Sequence, residues 1–468
     1  FYSLLSLGIS INEIEGIFHT HVHDDHFAGL TTLMRSDHRI KYYASATVIA
    51  SMIKKLSSLL TVEENIISHF FDLKELNTNR WNNIDGLEVK PIYSPHPVET
   101  NIFFFRTLWS DGYKQYAHLA DIASKAIIEK IASQHHDNAD VEELLGNSLD
   151  AYNTEVELKK IDIGGGMIHG EAEDFKQDNS NKIILSHTSV PLTSAQKEIG
   201  SGAPFGTVDV MIDGHQNILY RIAQHFLIDY FRNIELTAFQ ILLNHEIRTF
   251  NPETILLKEK HCSEYIYLII TGNIEMIDHA SGHIHMLSAG AFIGEVSALY
   301  GIQMQKTYRS ANYVNALVIP KNLYLEFIIQ NNLYEKMEKL QNMTFFLQNT
   351  WLFGENVSSP KLNELANNMK TLKCEGDNPF KDIEAESLIL IKSGALYLNK
   401  ASKMMMHFKE GDFLCQDFIC LAKDNECHFI YDENTWILII PKQLLMHVPI
   451  VEWKVFETNE KRFQLFGH

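Results

Sequence analysis

A repeated segment in the second half of the chain constrains its fold more than any other sequence feature. The tripeptide Ile-Pro-Lys at residues 319–321 recurs at residues 440–442, and Gly290 recurs as Gly411, both at an offset of 121 residues (from 319 to 440). A repeat of that length indicates two copies of one domain rather than a solenoid. Each copy contains an apolar run that ends at a glycine, which predicts a small β-roll with flanking helices. These runs are residues 265–272 and 387–394.

Length and composition limit the kinds of protein this chain can be. Its 468 residues are enough for roughly two to four domains, and 45% hydrophobic with 21% charged residues is typical of a folded protein. The formal net charge of −19 opposes binding to nucleic acid phosphates, so we do not expect a nucleic acid partner. We find no apolar run near the roughly 20 residues of a membrane span and no signal peptide. We therefore expect a cytoplasmic protein with no membrane partner.

The cysteines favour a reducing compartment. There are five, an odd number, and their spacing matches no zinc-finger pattern. We expect free thiols in the cytosol, and the alternative is one adventitious disulfide. All lie in the second half of the chain: Cys262, Cys374, Cys415, Cys420 and Cys427.

The segment Thr-His-Val-His-Asp-Asp-His at residues 20–26 concentrates candidate metal ligands. It follows directly on a short apolar strand predicted at residues 15–18, so one loop can wrap its ligands around two ions. Imidazole and carboxylate groups suit Zn²⁺, and also Mn or Fe. Such sites need further ligands, and three candidates follow predicted strands, one of them at residues 182–186. They are His96, Asp121 and His187.

Residues 1–215 alternate strands and helices, which predicts an α/β layered domain. A helical pattern at residues 122–150 is interrupted by polar residues near His135 and His136. Apolar residues at helical spacing continue over residues 216–250, which predicts a helical joint between the two halves. We assign residues 216–235 as the connector.

The order of these residues resembles the metallo-β-lactamase superfamily, whose motif HxHxDH is followed by three spaced ligands. The resemblance covers residues 1–215 and implies an αββα sandwich with two metal ions at one edge, within an α+β multidomain chain. Family members carry strands before the motif, so we expect this domain to be incomplete at its N-terminus. The resemblance implies that His21, His23 and His96 bind the first ion, that Asp25, His26 and His187 bind the second, and that Asp121 bridges them.

Two adjacent ions would determine the chemistry of such a site, because they lower the pKa of a bridging water and neutralise charge on the attacked group. Asp25 is then a ligand and proton acceptor rather than a nucleophile. His169, in the glycine-rich segment 164–170, is a candidate proton donor or substrate contact, and the alternative is a histidine that only occupies a tight turn. His19 either lines the site or has no part in it, and we expect His118 to be structural.

The first β copy resembles cyclic nucleotide-binding domains. Residues 292–299 look like the start of the phosphate-binding cassette of that family, and residues 307–311 look like its end. The family places a short helix between them, with its N-terminal amides facing the cyclic phosphate. The resemblance implies that Glu295 holds the ribose hydroxyl and that Gly294 and Thr307 belong to the nucleotide site. We assign residues 236–350 to this domain.

One departure puts nucleotide binding by this domain in doubt. Family members carry an arginine about three residues before the threonine of the cassette, paired with the phosphate, and Met304 stands at that position here. Arg309 belongs to the following predicted strand and is not a substitute. Without the guanidinium, a charged pair with the phosphate is lost.

The second copy, residues 355–468, departs further from the cassette pattern. Residues 411–417 lack its second glycine and its glutamate, and residues 422–427 supply no arginine. We interpret this copy as structural or dimerising, which makes a homodimer one expected assembly. The alternative is that Lys423 contacts an anion, although a single surface lysine is usually only solvated. The methionines at residues 404–406 are typical of adaptable packing.

Three functions from different classes fit these patterns. The first is a binuclear metal-dependent hydrolase, most plausibly a phosphodiesterase acting on a small, nucleotide-like substrate, with a cyclic nucleotide as a candidate effector of the attached domains. The second is a di-iron oxygen or redox sensor on the same fold. The third is a non-catalytic sensor or scaffold. Metal content and turnover of a simple phosphodiester distinguish them.

Overall fold

The structure is a computed structural model that describes residues 2–135, 137–165, 168–204, 206–214, 217–376, 380, 383, 387–400, 403–415 and 427–466. It divides into two compact units, and each is described by itself. The domain boundaries expected from the sequence stay predictions. The N-terminal unit comprises Ile14–Leu33 and Ile40–His215, and the C-terminal unit comprises Phe1–Glu13, Met34–Arg39 and Gln216–His468.

The first 215 residues alternate strands and helices, as their sequence pattern predicts. The strands are β1 (Gly16–Phe18), β2 (Ile40–Ala44), β3 (Phe71–Glu75), β4 (Asn82–Ile84), β5 (Leu87–Ser94), β6 (Thr100–Trp109), β7 (Gly112–His118), β8 (Leu158–Asp162), β9 (Lys182–Ser186) and β10 (Ser201–Gly202). The helices are α1 (Tyr2–Ser6, in the C-terminal unit), α2 (Asp24–Phe27), α3 (Leu30–Leu33), α4 (Ala46–Leu60), α5 (Lys125–Gln134), α6 (Ala139–Asn153) and α7 (Ser194–Ile199), with 3-10 helices at Ile11–Glu13 (in the C-terminal unit), Glu64–His69 and Ala172–Phe175.

Two sheets form the N-terminal unit. The strands β1, β2 and β3 make a parallel sheet, and a seven-stranded sheet has the order β10-β9-β8-β7-β6-β5-β4. The strands β7 to β10 run parallel, and β5 runs in the direction of β7 because both are antiparallel to β6. The C-terminal ends of β5, β7, β8 and β9 therefore reach the same edge of the sheet, where α/β proteins place their sites. The face-to-face sandwich of the two sheets stays a prediction.

Apolar spacing explains the helices that cover these sheets. Val48, Met52 and Leu56 recur at intervals of four residues in α4 and are fully buried, so α4 presents one apolar face to the core. The predicted interruption near residue 135 is present, since α5 ends at Gln134 and α6 begins at Ala139. The side chain of Asn138 caps α6 by accepting hydrogen bonds from the next amides.

The C-terminal unit contains paired β-sheets between helices. The strands are β11 (Ile247–Phe250), β12 (Ile255–Leu257), β13 (Tyr265–Thr271), β14 (Ile274–Ile277), β15 (Ile284–Leu287), β16 (Phe292–Ile293), β17 (Thr307–Ser310), β18 (Val314–Pro320), β19 (Lys370–Lys373), β20 (Ser387–Ser393), β21 (Ala395–Lys400), β22 (Lys403–Lys409), β23 (Phe413–Leu414), β24 (Cys427–Tyr431) and β25 (Trp436–Pro441). The helices are α8 (Ile218–Phe231), α9 (Gln240–Leu243), α10 (Glu295–Tyr300), α11 (Lys321–Gln330), α12 (Tyr334–Gln348), α13 (Ser359–Asn368), α14 (Lys442–Leu445) and α15 (Pro449–Phe466), with a 3-10 helix at Leu236–Phe239.

The internal repeat is visible in the strand order and in the register. One sheet of the first copy has the order β11-β18-β13-β16, and the corresponding sheet of the second has β19-β25-β20-β23. The strand β13 pairs with β18 from Tyr265 opposite Pro320, and β20 pairs with β25 from Ser387 opposite Pro441. Both pairs contain a bulge near the end of the first strand, so even this irregularity recurs. Assignment of the second copy as a cyclic nucleotide-binding-like domain stays a prediction.

The helical joint is shorter than its sequence pattern indicates. The helices end at Leu243, and residues 247–250 form β11, which pairs with β18. The apolar residues at these positions satisfy a strand as well as a helix, and the backbone pairing offered by β18 decides between them.

The described residues include the side chains of three of the five cysteines and the methionine run. Cys262, Cys374 and Cys415 form no disulfide among the described residues. Of the methionines at residues 404–406, Met404 is exposed, while Met406 packs against the core of the second copy. Within the described ranges no helix is both long and apolar enough to cross a membrane. Several predictions fall outside the described residues: His136, Cys420, the side chain of Cys427, Lys423 and most of residues 411–427.

Candidate metal centre and nucleotide cassette

The histidine-rich segment leaves the end of β1 and leads into the short helix α2. His21 is fully buried, His23 occupies the position before the helix, and His26 lies within it. Lys55 of α4 holds this turn in place, because its ammonium donates to the carbonyl of Val22 at 2.6 Å and to Asp24 Oδ1 at 2.5 Å. The motif residues are therefore fixed by a side chain from a neighbouring helix, a contact that sequence spacing alone does not reveal.

Four predicted ligands form a first group around Asp121. Ligand atoms of His21, His23, His96 and Asp121 all lie within 4.8 Å of one another. Asp121 Oδ2 is 3.3 Å from His21 Nε2 and 3.8 Å from His96 Nε2, and His96 Nε2 is 3.2 Å from His23 Nδ1. This group is the set expected for the first ion together with the expected bridging carboxylate.

A second group shares Asp121 with the first. It contains Asp121, Asp162, His169 and His187, again within 4.8 Å. His187 Nδ1 is 3.3 Å from Asp121 Oδ1 and 3.2 Å from Asp162 Oδ1. Asp121 therefore lies between two groups of donors, which is the position of a bridging ligand.

Asp25 and His26 lie at the margin of this second group. His26 Nε2 is 3.2 Å from Asp121 Oδ1. Asp25 Oδ2 is 3.4 Å from His26 Nε2 and 3.5 Å from His187 Nε2, but its side chain is 59% exposed. The structure thus connects all seven predicted ligands through contacts below 4 Å, while placing Asp25 at the solvent side.

Asp162, the last residue of β8, is a buried site residue that sequence reasoning missed. Its Oδ2 accepts from the amide of Ile122 at 3.3 Å and lies 2.8 Å from His169 Nδ1. Its Oδ1 accepts from the amide of Gly164 at 2.8 Å. The available signal was a carboxylate two residues before three consecutive glycines. These contacts let Asp162 orient His169 and the loop that carries Asp121.

Close packing explains why glycine precedes His169. A Cβ atom at Gly164 would lie 2.9 Å from Cγ of His169, too close for any other residue without movement of that ring. The amide of Gly165 donates to the carbonyl of Gly170 at 3.1 Å and closes the loop. The close packing at Gly164 therefore fixes the position of His169, and the catalytic role expected for that histidine stays a prediction.

Two positions at the sheet edge have unfavourable backbone conformations. Ala120 has φ of 54° and His187 has φ of 62°, in the left-handed region. For residues other than glycine this conformation costs on the order of 1 kcal/mol. Such strain is typical of functional sites, where the surrounding structure imposes it. Here it directs Asp121 and His187 toward the shared centre.

The electrostatics of the site favour metal-binding protonation states for Asp121, His96 and His23, whereas at His26 burial is outweighed by the contact with Asp121, which raises the pKa of that histidine. Burial would raise the pKa of Asp121, but its contacts with His21 and His26 outweigh burial and hold that pKa well below the usual range. Burial lowers the pKa of His96 to about 4 despite the opposing charge of Asp121. Burial also lowers the pKa of His23. Neutral imidazoles beside an ionised carboxylate are the protonation states that bind divalent cations.

A buried nitrogen with an incomplete set of contacts supports the fit of a cation. His21 Nε2 makes no hydrogen bond of regular geometry with any described residue, and its polar neighbour is Asp121 Oδ2 at 3.3 Å. A buried nitrogen that lacks a regular hydrogen bond costs free energy, which a bound cation would remove. The donor set of imidazoles and carboxylates is the set that zinc, manganese and iron prefer.

His19 and His118 lie outside both groups. His19 is buried, with Nδ1 at the hydroxyl of Tyr42, and burial lowers its pKa to about 4. His118 Nδ1 is 2.8 Å from the hydroxyl of Tyr116, and burial lowers its pKa to about 3. These contacts fit the structural role expected for His118.

The cassette of the first β copy has the backbone of a binding site with altered side chains. Gly294 adopts φ of 86° immediately before α10, and Thr307 begins β17. Met304 is buried, in contact with the β-roll core. Arg309 lies in β17, where it pairs with Glu275 at 3.0 Å and Glu253 at 2.9 Å. The binding roles expected for Gly294, Glu295 and Thr307 stay predictions.

Comparisons with known protein families match different models to the N-terminal residues and to the first β copy. The family model of the cyclic nucleotide-binding domain matches residues 247–331, so a domain of that kind is present there. The family model of the anti-Pycsar protein Apyc1 matches residues 1–133. No curated protein sequence matches the chain.

Similar solved structures include regulatory subunits of protein kinase A and a metallo-β-lactamase fold protein. Their TM-scores are too low to define a shared fold or activity. They include cAMP-bound PfPKA-R (13% identity, 55% of this chain and 93% of that chain, TM-score 0.32), the regulatory subunit of a cAMP-independent protein kinase A from Trypanosoma cruzi bound to guanosine (14%, 52% and 88%, 0.29), and YhfI from Bacillus subtilis (13%, 42% and 76%, 0.29).

Proposed function

We propose that the chain is a metal-dependent hydrolase of phosphodiesters that holds two divalent cations, zinc in the first instance. The observation that carries the proposal is the position of Asp121 between two groups of histidine and carboxylate donors. His21, His23 and His96 would hold the first cation. His187 and His26 would hold the second, with Asp25 at its solvent side. When bound, such a pair of cations supplies a nucleophilic hydroxide at neutral pH and neutralises charge on the phosphate.

His169, a member of the second group, is the candidate proton donor of the chain. Asp162 Oδ2 lies 2.8 Å from Nδ1 of His169 and can accept the Nδ1 proton, so the ring can take up a second proton on Nε2 and donate it as the imidazolium. The side chain of His169 is partly accessible, so a substrate can reach it. We assign His169 as the acid that protonates the leaving oxygen, and Asp162 as the residue that positions it.

Domain composition supports a nucleotide-like phosphodiester as the substrate. A cyclic nucleotide-binding domain on the same chain suits a protein of nucleotide metabolism or signalling. A thioester would fit the same donor set, so substrate class has to be tested directly. A di-iron redox centre would also use these ligands, and metal content separates it from a hydrolase.

The test is a metal analysis of the full chain combined with turnover of bis(4-nitrophenyl) phosphate and of a model thioester. We expect two equivalents of zinc or manganese and turnover of the phosphodiester alone. His23→Ala and Asp25→Ala should release metal and abolish hydrolysis, while His135→Ala, an exposed histidine of the same unit, serves as the matched control. Full metal occupancy in both site variants, or iron with an optical band and no turnover, would contradict the proposal.

A further inference from the structure

The glutamate of the cassette faces helices of its own unit. Glu295 is 1% exposed and begins α10. Its Oε2 accepts a hydrogen bond from the hydroxyl of Tyr230 at 2.5 Å, and Oε1 accepts from the hydroxyl of Tyr324. The amide of Gln341 donates both to Glu295 Oε2 and to Tyr230 Oη, the latter at 2.7 Å. We call these four residues the Glu295 cluster.

The Glu295 cluster joins four separate helices. Tyr230 comes from α8, Tyr324 from α11 and Gln341 from α12, and all converge on the first residue of α10. A second contact strengthens one of these junctions, since Lys336 of α12 donates to the carbonyl of Phe231 at the end of α8 at 2.5 Å. The cluster therefore connects the cassette helix α10 to α8, α11 and α12.

Aromatic rings exclude water from this carboxylate. Tyr230 lies 4.6 Å from Phe292 between ring centroids, and Tyr324 lies 5.8 Å from the same ring. Phe231 and Phe327 extend the aromatic packing. A carboxylate buried in such surroundings is costly unless its oxygens are hydrogen-bonded, and here each oxygen has a donor from the chain itself.

Met304 complements this arrangement on the opposite side of the cassette. Its methyl group would lie 3.5 Å from a Cβ atom at Gly294, and the residue is 4% exposed within the β-roll core. The position expected to carry a phosphate-binding arginine is thus filled by an apolar side chain. Of the two polar groups expected to bind a nucleotide, the arginine is replaced by Met304, and the carboxylate of Glu295 already accepts hydrogen bonds from the chain.

We propose that the Glu295 cluster fixes α8, α11 and α12 to the cassette helix without any ligand, and that this domain does not recognise cyclic nucleotides through Glu295. Glu295, which was expected to bind the ribose hydroxyl, instead stabilises a single arrangement of these helices. The first β copy then acts as a fixed structural module. The proposal is independent of the hydrolase function, because every contact that carries it lies in the C-terminal unit.

The test uses the full chain and a pair of matched variants. Tyr324→Phe removes one hydroxyl donor of the cluster and keeps the ring, whereas Tyr300→Phe removes a hydroxyl that donates to Glu338 at 3.0 Å on the surface. We expect Tyr324→Phe to lower the melting temperature of the domain by at least about 4 °C and Tyr300→Phe by no more than about 1 °C. Hydrogen exchange in α11 and α12 should accelerate in Tyr324→Phe alone.

Calorimetric titration with cAMP and cGMP completes the experiment. We expect no heat of binding at millimolar ligand in the wild type. Binding that Glu295→Gln abolishes would overturn the proposal, and so would equal effects of the two tyrosine variants on melting and exchange. Binding that Glu295→Gln leaves unchanged would place the nucleotide away from Glu295 and would overturn the conclusion that the first β copy is only a structural module. If Glu295→Gln does not fold, the tyrosine pair decides the question.

Discussion

Two buried polar clusters, one in each unit, illustrate how similar motif evidence can lead to different chemistry. In the metal centre, imidazoles converge on Asp121 and His21 Nε2 finds no hydrogen-bond partner among the described residues. In the Glu295 cluster, both carboxylate oxygens accept hydrogen bonds from tyrosines of the same chain. The first cluster contains a buried nitrogen that makes no regular hydrogen bond, whereas both carboxylate oxygens of the second cluster already accept hydrogen bonds.

From this difference we expect the histidine motif, rather than the cassette glutamate, to bind a ligand. A buried polar atom that lacks a partner costs free energy, and an incoming cation or substrate removes that cost. A satisfied cluster gains nothing from a ligand and loses hydrogen bonds to admit one. Motif residues alone do not separate these cases, since His21 and Glu295 both stand at the positions that their family patterns require.

The largest expected effect comes from removing the charge shared by the two metal groups. Asp121→Asn keeps the shape of the side chain but weakens the attraction for both cations, so we expect loss of both metals and phosphodiesterase activity at the background of the assay. Metal analysis and turnover of bis(4-nitrophenyl) phosphate measure this. Asp111→Asn, at an exposed turn of the same unit, is the control. Unchanged metal content in Asp121→Asn would mean that the Asp121 carboxylate is not a shared ligand of two cations.

A smaller effect is expected at His169, which would donate a proton rather than hold a cation. His169→Ala should keep its metal and lose about 100-fold or more in kcat for phosphodiesters with poor leaving groups. The loss should shrink for 4-nitrophenolate, which needs no proton to depart. A series of aryl phosphodiesters with rising leaving-group pKa tests this.

Asp162→Asn provides the companion measurement, because Asp162 contacts His169, His187 and two backbone amides and would act on the leaving oxygen only through His169. We expect the same dependence on the leaving group with a loss of about 10-fold. An equal loss for all leaving groups in both variants would assign the pair to metal binding instead of proton transfer.

The Glu295 cluster predicts a dependence of stability on pH in the other unit. Burial raises the pKa of Glu295 from 4.5 to about 7, although the hydrogen bonds from Tyr230, Tyr324 and Gln341 oppose the change. The folded state then binds the proton more tightly than the unfolded state. The contribution is complete below pH 4.5 and is lost as pH rises through 7, on the order of 3 kcal/mol in all.

Glu295→Gln isolates this contribution. The two tyrosines that face Glu295 have pKa values raised well above 10 by burial, and Gln341 does not titrate, so no other group in the cluster changes charge in this range. We expect the wild type to gain melting temperature relative to Glu295→Gln as pH falls from 7 to 4.5, measured by calorimetry. Parallel pH profiles for the two proteins would show that Glu295 is ionised in the fold.

The sequence predicted which side chains the structure brings together in the candidate metal centre, and their binding of metal stays a prediction. His96 and His187 were expected to follow strands, and they come after β5 and β9, whose C-terminal ends share one sheet edge with that of β7, the strand before Asp121. The strands predicted at residues 15–18 and 182–186 correspond to β1 and β9, and the interrupted helical pattern predicted at residues 122–150 corresponds to α5 and α6, because each segment has strong local periodicity.

What the sequence could not predict depends on side-chain direction and on distant partners. Asp162 belongs to no motif that the sequence analysis identified, and only its contact with His169 draws attention to it. Glu295 matched its motif, yet tyrosines 65 residues before it and 29 residues after it determine where its carboxylate points. Local pattern carries no information about such contacts, because they arise from tertiary packing.

The smallest expected effect concerns the support of the metal loop by Lys55. Lys55→Met keeps the unbranched stem but removes the ammonium that donates to the Val22 carbonyl and Asp24 and lies 4.6 Å from the ring centre of Phe27. The loop between His21 and His23 then loses its contact with α4, and we expect about 10-fold weaker metal binding with little change in melting temperature. Competition with a chelator measures the affinity, and Lys54→Met, an exposed neighbour on the same helix, is the control. Equal metal affinity in the two variants would show that burial of His21 and the network around Asp121 suffice to hold the loop, and that the metal centre is as fully supported by its own contacts as the Glu295 cluster is.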